Sequence, residues 1–105
     1  MNNTSNEFDE KEYVRDQLID RVKNIIGGLI GIRSEWLGDE DDKASPDQAL
    51  IQRLVQEQSA YDALRWDIAL LSHDELEKAV VNYGAQLEAE QAQRVAFMKV
   101  AGSHG

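Results

Sequence analysis

The chain has 105 residues, of which 42% are hydrophobic, and it contains no cysteine. This length corresponds to one domain with a small core, and such a core often needs a partner surface for full stability. Twenty acidic against eleven basic side chains give a net charge of -9, which disfavours direct binding to nucleic acids and to anionic membranes. The lack of cysteine excludes disulfides, thiolate metal sites and thiol nucleophiles.

The first predicted helix covers residues 9–37. Residues 1–8 before it are polar and are expected to be flexible, and because they contain no basic segment followed by an apolar one, we expect a cytoplasmic protein. Asp9 with Glu12 three residues later is typical of a helix N-terminus. Gly38 and the acidic run of residues 39–42 then predict a helix end and a solvated connection. The apolar side of this helix consists of Val14, Leu18, Val22, Ile25, Leu29, Ile32 and Trp36.

Two further helices are predicted over residues 46–71 and 73–100. Ser45 and Pro46 suit a cap and the first helical position, and Ser72 with Glu75 repeats the capping pattern after a slip in the apolar period. Residues 102–105 are expected to be a flexible tail, so that the predicted domain covers residues 9–101. The apolar stripes are Leu50, Leu54, Tyr61, Leu64, Ile68 and Leu71 in the second helix and Leu76, Val80, Tyr83, Leu87 and Met98 in the third.

The fold class predicted from these elements is all-α. No segment alternates like a strand, and the connections between the helices are short. Two architectures fit: a three-helix bundle that runs up, down and up, or a helical hairpin plus a third helix that is completed by dimerisation. The sequence leaves both open.

Three glycines, Gly27, Gly28 and Gly31, interrupt the apolar centre of the first helix. Each costs about 1 kcal/mol relative to alanine in a helix interior. At about 100° per residue they lie opposite the apolar seam, on the side of Asp16 and Asp20. The sequence therefore indicates either a hinge or a bare strip of backbone that a partner helix approaches, and we favour the strip.

No cofactor, metal or catalytic site is predicted. The acidic run of residues 39–42 lacks the ligand spacing of a calcium loop, and His73 and His104 are isolated from other metal ligands. No glycine-framed serine occurs, and no Lys-Ser or Lys-Thr follows Gly31 to make a phosphate loop. We therefore expect a protein that is not an enzyme.

A second apolar side on the second helix, with Ile51, Val55 and Trp66, predicts an intermolecular contact. The leading hypothesis is a small acidic protein-binding module that regulates, adapts or inhibits a partner protein and forms homodimers. The alternative is a nucleic-acid mimic, with Asp16, Asp20, Glu35 and residues 39–42 as its carboxylates. The predicted partner-binding residues are Trp66, Ile51, Val55, Gly27, Gly31, Asp16, Asp20, Asp39, Glu40, Asp41 and Asp42.

Two resemblances provide minor alternatives. The run Arg15-Asp16-Gln17-Leu18, continued by apolar residues to Arg33, resembles the first helix of the helical chorismate mutases, which are small all-α dimers. That resemblance implies that Arg15 and Arg33 clamp a dicarboxylate, with Lys43, Arg53 and Gln91 as further polar contacts.

Trp36-Leu37-Gly38, between two long helices, resembles the WXG family of small type VII secretion substrates. This second resemblance implies a secreted helical hairpin.

Overall fold

The structure is a computed structural model that describes residues 3–103, with side chains described for residues 10–100. It contains three α-helices, α1 (Asn3–Asp41), α2 (Gln48–Asp67) and α3 (His73–Ser103), and a short 3₁₀ turn (Ile68–Leu70) follows α2. No strand occurs between residues 3 and 103. The predicted all-α class is confirmed.

Helix α1 is longer than predicted at both ends. It begins at Asn3, where the sequence predicted a start near Asp9, and it continues through Gly38 to Asp41. The predicted connection over residues 39–42 is therefore mostly helical. The reason is that Glu40 is buried and accepts hydrogen bonds from the Lys43 ammonium and the Asp47 main-chain N–H, both at 2.7 Å. The tails predicted to be flexible lie partly outside the described residues, at positions 1–2 and 104–105.

The start of α2 is capped by Asp47 and not by Ser45. The Asp47 Oδ1 accepts from the main-chain N–H groups of Ala49 and Leu50, at 3.1 and 3.2 Å. Pro46 consequently lies before the cap, and α2 begins at Gln48. An aspartate cap satisfies the free N–H groups of a first turn as well as serine does.

The break before α3 has the predicted capping box. Ser72 Oγ accepts from the main-chain N–H of Glu75, and Glu75 Oε1 accepts from the main-chain N–H of Ser72, both at 3.1 Å. This reciprocal pair satisfies two N–H groups and starts a new helix directly after the 3₁₀ turn.

Helix α1 lies between the other two helices. Arg15 donates to the carbonyl of Ala69 in the 3₁₀ turn after α2, and Arg33 further along α1 reaches back to Glu57, so α1 and α2 are antiparallel. Ile25 lies near Gly84 and Arg33 contacts Glu90, so α1 and α3 are parallel. α2 and α3 approach each other little. The result is an up-down-up bundle that is elongated and flattened, with extents of 68 × 27 × 16 Å. Its radius of gyration of 18.4 Å exceeds the roughly 13 Å expected of a compact chain of this length.

The core follows the predicted apolar stripes. Ile26 and Leu29 of α1 pack with Ile68 and Leu76, while Leu54 is buried on α2. Val14 and Met98 are exceptions, because the sequence placed them on the apolar sides of the first and third helices and both are exposed. The side chains that are both apolar and buried are Val22, Ile26, Leu29, Ile32, Leu54, Ile68, Leu76 and Ala79.

Candidate functional site

An arginine lies at the centre of a buried cluster of charged side chains. Arg33 is only 4% exposed, and its guanidinium donates to Glu57 on α2 at 3.0 Å and to both carboxylate oxygens of Glu90 on α3, at 2.7 and 3.0 Å. A fourth hydrogen bond, to the Leu29 carbonyl, is 3.0 Å long. Arg33 therefore joins all three helices, and its guanidinium is saturated with partners from within the chain.

Aromatic and amide groups complete this cluster. The Arg33 guanidinium lies 4.9 Å from the centre of the Tyr61 ring, a distance that allows a cation–π interaction. Gln86 donates to the Tyr61 hydroxyl at 2.7 Å and to Glu90 at 3.0 Å. Because each buried polar group here has a partner, the cluster holds the helices together and leaves no free group for a ligand.

The ion pair between Arg33 and Glu90 shifts the pKa values of both side chains. Hydrogen bonding to Glu90 raises the pKa of Arg33 above its ordinary value, although burial acts in the opposite direction. For Glu90, burial alone would raise the pKa, but the hydrogen bonds from Arg33 and Gln86 and the charge of Arg33 outweigh burial and leave the pKa lowered. Both shifts favour the charged forms at neutral pH.

The lowered pKa of Glu90 predicts acid destabilisation. Its stabilising contribution is complete above the unfolded value of 4.5 and is lost as the pH falls through the lower native pKa. The measurement is the free energy of unfolding in urea between pH 7 and pH 3. As the pH falls, this free energy should decrease less in Glu90→Gln than in the wild type. Glu12→Gln, at an exposed position, is the control. Equal pH slopes for the wild type and Glu90→Gln would contradict the prediction.

A cleft of about 320 Å³ lies where the end of α1 and the start of α2 face the second half of α3. Trp36, Leu54 and Phe97 provide apolar walls, and Lys43 and Arg53 lie at the same cleft. Both cations already face carboxylates, since Lys43 pairs with Glu40 at 2.7 Å and Arg53 lies 3.8 Å from Glu57. The cleft thus has no unpaired charge among these residues to select an anion.

The two arginines highlighted by the mutase resemblance do not converge. They are 18 positions apart, which is roughly 27 Å along a helix. Arg15 donates to the Ala69 carbonyl at 2.7 Å, whereas Arg33 is occupied by Glu57 and Glu90. One small dicarboxylate cannot bridge them in this arrangement.

The three glycines of α1 have different surroundings. The helix is continuous through residues 27–31, so the structure has no break there, which was the alternative to the favoured bare strip. A Cβ at Gly27 or Gly31 would meet no other atom within 4 Å, whereas one at Gly28 would lie 2.9 Å from Leu87 of α3. The expectation that all three lie off the core was therefore wrong for Gly28, which lets α3 approach. Gly27 and Gly31 do form a bare strip.

Next to this strip, α2 presents exposed side chains. Trp66 is 82% exposed and shares a groove of about 330 Å³ with Lys23 of α1 and with Asp62. Val55 is also exposed, on the same side of α2, and Ile51 is half-buried. We call this surface the open face. It consists of Asp16, Asp20, Gly27 and Gly31 on the exposed side of α1 and of Val55, Asp62 and Trp66 on α2.

The acidic run at the end of α1 is not uniformly exposed. Asp39 pairs with Arg94 of α3, and Glu40 is buried at the turn into α2. Only Asp41 and Asp42 of the run are exposed. Of the four carboxylates that the sequence analysis assigned to a solvated connection, two are thus exposed.

Comparisons with protein-family models, with curated proteins and with solved structures give no match. The resemblances to the chorismate mutases and to the WXG proteins therefore rest on the quoted residues alone. Between residues 3 and 103, no helix is long and apolar enough to cross a membrane. Over the same described part of the chain, no group of three or more His, Asp or Glu side chains is arranged to hold a metal ion.

The sequence analysis missed Glu57 and Glu90, although a signal for both was present. The stripe Leu50, Leu54, Glu57, Tyr61 has spacings of four, three and four, and the stripe of α3 reaches Glu90 three residues after Leu87. Glutamates at core positions of two helices require a cation. Arg33 lies on the apolar side of α1 and is the cation that pairs with both glutamates.

Proposed function

We propose that the protein is a non-enzymatic protein-binding module that regulates, adapts or inhibits a partner protein, and that it also self-associates. The observation that carries this proposal is the open face. A tryptophan that is 82% exposed lies beside a helix whose own side chains are missing at Gly27 and Gly31. Tryptophan is enriched at binding hot spots, and bare backbone allows a partner helix to approach closely.

The surface area of the molecule supports the same proposal. The accessible surface is 7575 Å², whereas a compact monomer of 11.8 kDa exposes about 5,900 Å². The difference, about 1,700 Å², reflects the elongated and flattened shape of the bundle, which leaves whole helix sides uncovered.

The charges on the open face indicate the chemistry of the partner. Asp16, Asp20 and Asp62 belong to the open face, where Lys23 and Arg65 also line the groove of Trp66, and the whole chain carries a net charge of -9. A partner segment with apolar side chains flanked by Lys or Arg would complement this surface. A helix with that pattern is the partner that we propose.

The alternative function, nucleic-acid mimicry, would need a continuous row of exposed carboxylates. Asp16, Asp20 and Glu35 are exposed. Asp39 and Glu40, however, are engaged with Arg94 and with Lys43. The row is thus shorter than the sequence suggested, and for this reason we favour the apolar interface.

Trp66→Ala is expected to weaken partner binding by about 2 kcal/mol or more, as truncation of a hot spot does. The measurement is capture from extracts of the native cell, followed by titration of the captured protein with wild-type and variant chains. Because Trp66 is 82% exposed, the free energy of unfolding should change by no more than about 0.5 kcal/mol. The matched control is Phe97→Ala, a half-exposed aromatic residue on α3 outside the open face.

A salt titration distinguishes the two functions. Binding through the apolar face should persist as salt rises and fail with Trp66→Ala, whereas mimicry should lose affinity steeply with salt and tolerate that substitution. A partner whose affinity responds to neither treatment would rule out both functions.

A further inference from the structure

The apolar side of α1 continues beyond the ends of the other two helices. At about 100° per residue, Val14 lies on the same side of α1 as the buried Val22 and Leu29. The 3₁₀ turn after α2 meets α1 at Arg15, and α3 begins only at His73, so these helices cover the first turns of α1 incompletely. Val14 is 45% exposed as a result.

An open groove lies between this part of α1 and the start of α3. It consists of two clefts, of about 650 and 310 Å³, which share Val14 and His73. The apolar walls are Val14 and Leu18 of α1 and Val80 and Val81 of α3. Val81 is 68% exposed, so the groove presents apolar surface to solvent from both helices.

The charged side chains along this groove have the opposite balance to the chain as a whole. Three bases line it, Lys11, Arg15 and Arg21, against the two acids Glu10 and Glu77. In the whole chain, 20 acids outnumber 11 bases. We call the surface made of these five charged side chains, of His73 and of the four apolar walls the basic groove.

The bases of the basic groove are available to a partner. Among residues 10–100, whose side chains the structure describes, Lys11 and Arg21 form no ion pair. Arg15 donates one hydrogen bond, to a main-chain carbonyl, and no carboxylate within the same part of the chain neutralises it. Of the two acids, Glu77 already lies 2.6 Å from His73 Nε2. The positive charge of the groove is therefore not balanced from within the described chain.

The acids and bases of α1 are separated around the helix. Lys11 and Arg15 lie within about 100° of Val14, on the apolar side. Asp16 and Asp20, which belong to the open face, lie on the opposite side. The basic groove and the open face are thus separate surfaces, and binding at one leaves the other accessible.

We propose that the basic groove binds an amphipathic helix of another protein, with apolar side chains flanked by Asp or Glu. The apolar side chains of that helix pack on Val14, Leu18 and Val81. Its carboxylates pair with Lys11 and Arg21. This inference rests on the adaptor role in the proposed function and makes it specific. The open face takes a helix flanked by bases and the basic groove takes one flanked by acids, so one chain joins two partners of opposite charge.

The shape and charge of the molecule favour a helix over an anionic membrane as the occupant. A helix is about 10 Å wide and can enter a groove between two helices, whereas a membrane is flat. The net charge of -9 repels an extended anionic surface. A short acidic segment meets mainly the charges within about 10 Å of it, because salt screens the more distant ones. Those near charges are the bases of the groove.

Two synthetic peptides test the charge preference. Each is an amphipathic helix of about 18 residues, or five turns, with leucines at steps of three and four. The Glu peptide has glutamates beside the leucines, and the Lys peptide has lysines. Fluorescence anisotropy of the labelled peptides with the full chain measures both affinities. The Glu peptide should bind, and the double variant K11E/R21E should weaken it at least about tenfold.

Matched controls separate a local effect from the change in net charge. The double variant K23E/K78E changes the net charge equally at exposed positions outside the basic groove, and it should weaken the Glu peptide much less. Val81→Asp tests the apolar wall and should also weaken the Glu peptide. Val95→Asp is its control, because Val95 is exposed on the same helix but lies outside the groove. Circular dichroism checks that each variant keeps its helical content.

The remaining outcomes separate this inference from the proposed function. A Glu peptide that does not bind, or that K11E/R21E and K23E/K78E weaken equally, would overturn the basic groove and leave the open face intact. Binding of the Lys peptide should fail with Trp66→Ala and persist in K11E/R21E. Loss of the Lys peptide in K11E/R21E would show that the two surfaces are not separate and would overturn the proposal.

A vesicle experiment tests the other anionic occupant. Vesicles of phosphatidylcholine and phosphatidylserine should not cosediment with the wild-type chain. Cosedimentation that K11E/R21E abolishes would replace the acidic helix by a membrane as the occupant and would overturn the proposal.

Discussion

Replacing Arg33 with methionine is expected to lower the free energy of unfolding by about 3–5 kcal/mol, because breaking a buried ion pair leaves its partner charged and unpaired. The Arg33 side chain is 5% exposed and that of Glu90 is 12% exposed, so water cannot readily replace the guanidinium. Glu57, with a side chain 38% exposed, can turn to solvent and contributes less. Urea unfolding at pH 7 measures the effect.

A matched control and a rescue variant make this test specific. Arg53→Met removes the same kind of side chain from α2 at a position where it is 66% exposed, and it should cost no more than about 0.5 kcal/mol. Adding Glu90→Leu to Arg33→Met should recover part of the lost stability, since an apolar pair of similar volume replaces a buried ion pair at little cost. Loss of less than about 1 kcal/mol in Arg33→Met would show that the cluster does not hold the helices together.

The second large effect is a stabilisation. Gly27→Ala combined with Gly31→Ala should raise the free energy of unfolding by about 2 kcal/mol, because each alanine gains about 1 kcal/mol of helix propensity. Neither new methyl group would meet another atom within 4 Å. Thermal and urea unfolding of the double variant measure this gain. If the proposed partner helix approaches this strip, the same variant should bind its partner more weakly than the wild type.

Gly28→Ala is the internal control for this pair. Its methyl group would lie 2.9 Å from Leu87 Cδ2, so that the leucine must shift and part of the helix-propensity gain is lost. We expect a smaller gain than at Gly27 or Gly31, and no change in binding of a partner at the open face. Stabilisation equal to that of Gly27→Ala would mean that Leu87 yields without cost. A double Gly27/Gly31 variant less stable than the wild type would contradict the exposure of the strip.

The sequence predicted those parts of the fold that local patterns control. The apolar stripe of α2 and the box of Ser72 and Glu75 both appear in the structure as expected. Capping depends on residues within one turn, and a stripe depends on a fixed period, so neither requires knowledge of distant partners. The short connections between the helices fit the up-down-up bundle that the structure has, which was one of the two architectures that the sequence left open.

The parts that the sequence did not predict depend on contacts distant along the chain. The interpretation of residues 39–42 as a linker overlooked Glu40, whose burial depends on Lys43 and on the main chain of Asp47. Gly28 was assigned to the solvent side, but its neighbour Leu87 is 59 residues away. Charge and helical phase alone do not reveal such pairs.

Arg33 could have been interpreted correctly from the pattern. It lies on the apolar arc of α1, and Glu57 and Glu90 lie on the stripes of their own helices. Three core positions that carry one base and two acids predict a buried ion cluster more strongly than any one of them does. The candidate open face, by contrast, came from exposed positions, where the sequence restricts structure least.

The central position of α1 also bears on how the protein unfolds. Because α2 and α3 each pack on α1 and approach each other little, neither forms a stable pair with the other once α1 is lost. α1 therefore couples the two halves of the bundle into one cooperative unit. A partner that binds α1 along its exposed strip would stabilise the whole molecule against opening.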